Sequence, residues 1–336
     1  MKILHYDKTF TTEGDAVFNS LEIAYHTWGT LNSAGDNVIW VCHALTANSD
    51  VEAWWPGMVG KGLAFDTDRY FIVCANILGS CYGTTGPLSI NRESGKPWLN
   101  DFPVITVRDV VNVHEILRDH LNIKSISIII GASIGGYQAL EYSIMYPDIV
   151  RGLVFIASSA KQSPWAIAFN ESQRLSIVAD PSFFNGDVNG GKKGLKAARS
   201  IALLSYRTAY AYNKTQAEEH NEKINSFKAS SYQAYQGDKL VKRFNPWSYY
   251  RLTQLADNHN VGRGRGEVTD ALQKIKARTL CIGIKSDILY PVDEQRYVCN
   301  NVKKGQFAEI DSFYGHDGFL IEVDQVSALL RKFQEN

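Results

Sequence analysis

The stretch IIIGASIGGYQAL, residues 128–140, constrains the fold of this chain more than any other. Ile126 and Ile128 to Ile130 read as a strand buried on both faces, which calls for a parallel sheet. Tyr137, Leu140, Ile144 and Met145 then fall at helical spacing. Between strand and helix stands Gly131-Ala132-Ser133-Ile134-Gly135. Small residues two before and two after the serine let strand and helix approach closely. The serine, on strained backbone, has its Oγ pushed outward as a nucleophile elbow. A tight turn with an inert serine would fit the same pentapeptide, so the rest of the chain must decide.

The elbow needs a sheet around it, and the first half of the chain supplies one. VIWVC (38–42), YFIVCAN (70–76), SISIII (125–130) and LVFIAS (153–158) are β-rich runs alternating with helical ones. That alternation implies a mostly parallel central sheet with helices on both faces. Thr106 ahead of Val107, Val110, Val111, Leu117 and Leu121 reads as the cap of an amphipathic helix on that sheet. From residue 163 to 274 the pattern changes to long polar-aromatic helical stretches without a convincing strand. Strand signals return at ARTLCIGI (277–284) and FAEID (307–311), followed by a final helix. The expected organisation is an α/β core of residues 1–162 and 275–336, interrupted by a helical lid insertion over 163–274. GDVNGGKKG (186–194) is the nearest thing to a flexible loop.

Composition narrows the function. Lys plus Arg and Asp plus Glu both total 35, so no global charge recruits nucleic acid or an anionic membrane, and any anionic ligand must be held locally. The five cysteines form no CxxC pair, and Cys42, Cys74 and Cys281 sit in apolar runs that suit a core role, so the expectation is reduced thiols without a metal site. The first residues lack an apolar leader and no run has the length of a membrane span; a cytoplasmic setting is the default expectation.

A serine nucleophile needs a base within hydrogen-bond reach and a carboxylate to orient it, and on this kind of fold they follow in the order Ser, Asp or Glu, His. After TLCIGI comes Asp287, and after FAEID comes Ser312-Phe313-Tyr314-Gly315-His316. Ser133, Asp287 and His316 are the candidate catalytic residues. Asp293 and Asp311 compete for the acid role, but Asp287 directly follows an apolar strand. His43 precedes the serine, in a stretch expected to donate backbone N–H groups; His220 and His259 fall in the insertion, where a lid or surface role is expected. The oxyanion hole is expected from the backbone N–H of Ile134 and of Leu45, in the loop after VIWVC.

VCHALT (41–46), DTDRYFIVCANILGSCYGTTGPLSINRESGKPW (66–98), DFPVITVRD (101–109), GASIGGYQALEY (131–142), IAFNESQR (167–174), LSYRT (204–208) and YGHDGFL (314–320) together resemble the homoserine O-acetyltransferase family. That family consists of α/β-hydrolase-fold acyltransferases of methionine biosynthesis. The elbow departs from it, with Ala132 and Ile134 where Gly and Met are common; both changes preserve size. The resemblance implies ping-pong transfer of an acetyl group from acetyl-CoA, a co-substrate rather than a resident cofactor, through Ser133 to L-homoserine. It also implies a homodimer formed through the lid, with Asp317 binding the substrate ammonium, Arg174 its carboxylate and Tyr206 lining the pocket. One anion and one bidentate cation a few ångströms apart suit a zwitterionic amino acid.

Rival readings share the triad: an esterase or thioesterase with water as acceptor, a relative using succinyl-CoA or L-serine, or a silent binding protein of the same fold. GRGRG (262–266) does not follow a strand and reads as a mobile lid turn rather than a phosphate loop. Lys192 and Lys193 are weak candidates for the CoA phosphates.

Overall fold

The computed structural model describes residues 1–220 and 222–335. Eight strands form the main sheet: β1 (Lys2–Tyr6), β2 (Leu21–Trp28), β3 (Val38–Cys42), β4 (Phe71–Ala75), β5 (Ile128–Ala132), β6 (Gly152–Ile156), β7 (Arg278–Ile284) and β8 (Gly305–Ile310). Their spatial order is β1-β2-β4-β3-β5-β6-β7-β8. From β4 to β8 every neighbouring pair is parallel, with Trp40 beside Ile129 and Ile129 beside Leu153. β2 runs antiparallel to both β1 and β4. The sequence signals did not reveal β1 and β2: at this edge the strands carry polar residues such as His5, Glu22 and His26, with only part of the alternation buried.

β3, β5 and β6 are buried along their whole length. Successive side chains divide between two cores, as the two-residue period of a strand demands. Trp40, Ile129, Leu153 and Phe155 join one core with Val110, Leu117 and Tyr142; Ile39, Val41, Ile128, Ile130 and Val154 join the other with Trp55, Phe319, Leu330 and Phe333.

Around the sheet lie α1 (Val107–His120) and α2 (Ile134–Met145), and later in the chain α9 (Val292–Asn301) and α10 (Val323–Glu335). Thr106 caps α1 in a reciprocal box with Asp109. Between β6 and β7 run the helices α3 (Pro164–Val178), α4 (Lys192–Tyr206), α5 (Ala209–Thr215), α6 (Lys228–Val241), α7 (Pro246–Asp257) and α8 (Val268–Leu272). The single final helix expected from sequence is broken into Gly318–Ile321 and α10.

Two side-chain readings change. His259, expected on the lid or surface, is buried with its ring stacked on Tyr137 at 3.9 Å between centroids. The GRGRG turn is fastened to the core rather than free: Arg263 pairs with Glu13 at 2.8 Å and Arg265 with the buried Glu141 at 2.5 Å. Cys42, Cys74 and Cys281 are buried free thiols, as a core role requires.

Candidate active site

The C-terminal ends of β5, β7 and β8 carry Ser133, Asp287 and His316 on the loops that follow them. Ser133 has φ 57 and ψ −128, a conformation that costs a non-glycine residue roughly 1–3 kcal/mol and persists only when its surroundings impose it. They do so here. The Ser133 N–H donates to the Ile156 carbonyl at 3.0 Å, and its own carbonyl accepts from the Gly136 N–H at 2.9 Å and the Ser158 hydroxyl at 2.7 Å. Glycine is obligatory on either side: a Cβ on Gly131 would lie 2.0 Å from the Gly135 carbonyl oxygen, and one on Gly135 would lie 2.2 Å from that of Cys42. The latter contact holds the start of α2 against the loop that contains Leu45.

Asp287 and His316 form a closed pair. His316 Nδ1 lies 2.6 Å from Asp287 Oδ2, while Asp287 Oδ1 accepts the backbone N–H groups of Leu289 and Tyr290 at 2.8 and 3.0 Å. A carboxylate acceptor assigns the proton to Nδ1 and leaves Nε2 as the basic nitrogen. Asp293 and Asp311 do not share this position: Asp293 opens α9, and the Asp311 N–H and carbonyl are bound by the Gln325 side chain. The rings of Tyr290, Tyr206 and Phe319 surround His316 at 5.2, 5.7 and 5.7 Å between centroids. Burial alone would push the imidazole pKa down, but the Asp287 charge, its hydrogen bond and the Asp317 charge outweigh burial and raise it above 6.5. A buried base backed by a carboxylate can accept a proton from a nucleophile and return it to a leaving group.

The loop after β3 is fixed by His43. Its Nδ1 faces the Ala44 carbonyl at 2.9 Å, so it donates there, and Nε2 accepts the Ile77 N–H at 3.2 Å. Burial lowers its pKa to about 4, which keeps it a neutral brace. Arg243, just beyond α6, donates to the Thr46 carbonyl and, at 2.8 Å, to the Tyr82 hydroxyl. Asn76 adds a further clamp by accepting the Ser49 N–H at 2.7 Å and donating to the Tyr82 carbonyl at 2.7 Å. In this way the LGSCYG stretch sustains the loop from which Leu45 would donate.

The helices above His316 are less simply organised. Asp317 is paired with Arg207 at 2.7 Å, and the Arg207 guanidinium lies 5.4 Å from the Tyr314 ring centroid. Arg174 is 7% exposed and engaged by two carboxylates, Glu171 at 2.6 Å and Asp257 at 2.5 Å. These two carboxylates engage Nε and Nη2 and already balance the guanidinium charge, while Nη1 has no partner among the described residues. Arg199 lies 5.6 Å over the ring of Tyr206, whose ring in turn faces His316. Sequence reasoning passed over Arg199, Arg207 and Tyr290. The first had a usable signal, since Arg199 and Tyr206 are seven residues apart and therefore share one face of α4. Lys192 and Lys193 open α4 as exposed residues.

Residues 37–323 match the family model described as alpha/beta hydrolase fold. A homoserine O-acetyltransferase from Cyclobacterium marinum is 44% identical over 332 residues, covering 99% of this chain and 94% of the relative. The crystal structure of a homoserine O-acetyltransferase from Staphylococcus aureus superposes with a TM-score of 0.82 at 28% identity, covering 99% of this chain and 94% of that one. That of an esterase, the E22 L374D mutant, superposes with a TM-score of 0.91 at 25% identity, covering 100% and 99%.

Proposed function

The chain belongs to the homoserine O-acetyltransferase family, within the alpha/beta hydrolase fold, and from that membership we propose that it moves an acetyl group from acetyl-CoA to the hydroxyl of L-homoserine through Ser133. It is an O-acyltransferase, and acetyl-CoA is its co-substrate. The observation that carries the residue-level reading is the Asp287–His316 pair, held by one charged hydrogen bond and two backbone amides on loops at the same end of the sheet as the Ser133 elbow.

In the first half-reaction His316 Nε2 takes the Ser133 proton as Oγ attacks the thioester carbonyl. The N–H groups of Ile134 and Leu45 receive the oxyanion, and CoA leaves as the thiol with the proton from His316. In the second half, His316 takes the proton of the homoserine hydroxyl, which attacks the acetyl-serine ester; collapse returns the proton to Ser133 and releases O-acetyl-L-homoserine. Asp317 receives the substrate ammonium, in competition with Arg207. Arg199 is the better-placed cation for the carboxylate, with Tyr206 between it and His316. The lid also supplies a homodimer contact, supported by exposed apolar side chains such as Trp165, Leu175, Leu204 and Tyr210, and the enzyme works in the cytoplasm.

The esterase reading has one observation in its favour, the whole-chain likeness to esterase E22. The charged groups around His316 argue the other way, because a neutral ester has no use for Asp317, Arg207 and Arg199 together. The test crosses acetyl-CoA and succinyl-CoA with L-homoserine, L-serine and water while following thiol release. The proposal expects sustained release only with acetyl-CoA and L-homoserine; equal release with water alone would make the protein a hydrolase.

A further inference from the structure

Ser133 and His316 stand on β5 and β8, which β6 and β7 separate in the sheet. Something must fix the distance between them, since a misplacement of about 1 Å can cost on the order of 100-fold in rate. We propose that Tyr137 and Tyr290 are positioning residues whose shared hydroxyl hydrogen bond ties the helix that Ser133 opens to the Asp287–His316 pair; the proposal rests on the acyl-transfer reading of that trio.

Tyr137 lies one turn into α2, and Tyr290 belongs to the loop after β7. Their hydroxyls are 2.6 Å apart, and both approach Gln162 Oε1, at 2.5 Å from Tyr137 and 3.4 Å from Tyr290. Either hydroxyl can donate to the other while the accepting one donates to Gln162, the shorter route running from Tyr290 through Tyr137 to Gln162. Tyr290 has two further attachments to the pair, its N–H on Asp287 Oδ1 at 3.0 Å and its ring 5.2 Å from that of His316. Tyr137 cannot swing away, because the buried His259 stacks on it and is itself held to the Ser159 carbonyl at 3.0 Å. Burial pushes both phenols above their ordinary range, so both keep the protons their hydrogen bonds need.

A parallel path runs through the backbone. The Ser158 hydroxyl holds the Ser133 carbonyl at 2.7 Å, and Gln295 Nε2 holds the Ser158 carbonyl at 2.7 Å, with the Tyr290 carbonyl 3.5 Å away. Removing a tyrosine hydroxyl therefore leaves the elbow's own backbone bonds in place.

The experiment compares Tyr290→Phe, Tyr137→Phe and the double variant in the full chain, with Ser133→Ala on the same assay. Each single change should lower kcat about 10- to 100-fold in both half-reactions while KM for L-homoserine stays within about twofold. The double variant should be no slower than the worse single, because either substitution already removes the shared hydroxyl–hydroxyl bond that carries the tie. Gln162→Asn, which shortens the acceptor, should act in the same direction by a smaller factor. A lowered melting temperature with unchanged kcat in Tyr290→Phe and Gln162→Asn overturns the proposal, as do losses that multiply in the double variant. Turnover retained by Ser133→Ala would instead overturn the acyl-transfer reading on which the proposal stands.

Discussion

The two sides of the site are built differently. Below, the Ser133 elbow and the Asp287–His316 pair follow the ends of buried parallel strands, and the Ser133 carbonyl, both Asp287 oxygens and His316 Nδ1 are held through short bonds. Above, on α3, α4 and the segment after α4, three arginines lie among carboxylates and tyrosines: Arg174 with Glu171 and Asp257, Arg207 with Asp317, and Arg199 over Tyr206. In the proposed function the lower side is the reaction centre, set by backbone geometry, and the upper side is a charged ceiling that meets the zwitterionic substrate, so chemistry and acceptor choice should separate under mutation.

The largest expected effect is on the lower side. Ser133→Ala removes only Oγ from a turn that tolerates small residues, and turnover should fall about 10⁴-fold or more with the fold intact by circular dichroism. Asp317→Asn should then distinguish the two sides. Loss of a charge-assisted hydrogen bond of about 1.5–3 kcal/mol weakens L-homoserine binding roughly 10- to 150-fold, while acetyl-enzyme formation from acetyl-CoA changes much less. Equal losses in both half-reactions would assign Asp317 to the support of His316 alone.

A sharper contrast lies within the ceiling. Arg199→Gln should raise KM for L-homoserine about 10-fold or more, as loss of a bidentate carboxylate contact requires. Arg174→Gln should leave that KM within about threefold and lower the melting temperature instead, because it leaves the half-buried Asp257 carboxylate with only the Asn170 amide as partner. Steady-state kinetics and thermal melts of the two variants check both outcomes; the opposite pattern would restore Arg174 as the substrate cation.

The smallest effect is on pH dependence. His316 must be neutral to act as base, and its pKa is raised above 6.5. The acid limb of kcat/KM for acetyl-CoA should therefore have its midpoint above 6.5, with activity lost as pH falls through it. Asp317→Asn removes one of the charges that raise this pKa, so the limb should move to lower pH. A midpoint unmoved by the substitution would mean that Asp317 exerts no field at the imidazole.

The same contrast explains what could be read from the residues alone. The placement of Ser133, Asp287 and His316 after strand ends was legible because strand, turn and chain order impose it: the elbow needs Gly131 and Gly135, and the other two follow apolar strands. The carboxylate partners of Arg174, Glu171 and Asp257, were not legible, because no spacing rule distinguishes an arginine held by an ion pair from one that binds a ligand. Arg199 was hidden because an arginine on an amphipathic helix reads as surface until Tyr206 shows which face it shares. His259 was misplaced because a histidine in a polar helical stretch gives no sign that Tyr137 will stack on it.

The most direct test is the intact mass of the protein mixed with acetyl-CoA alone, quenched rapidly and followed by peptide mapping. The account predicts one acetyl group on the peptide that contains Ser133, absent from Ser133→Ala and discharged on addition of L-homoserine. Product formation with no adduct at any quench time, or an adduct that survives in Ser133→Ala, would contradict it.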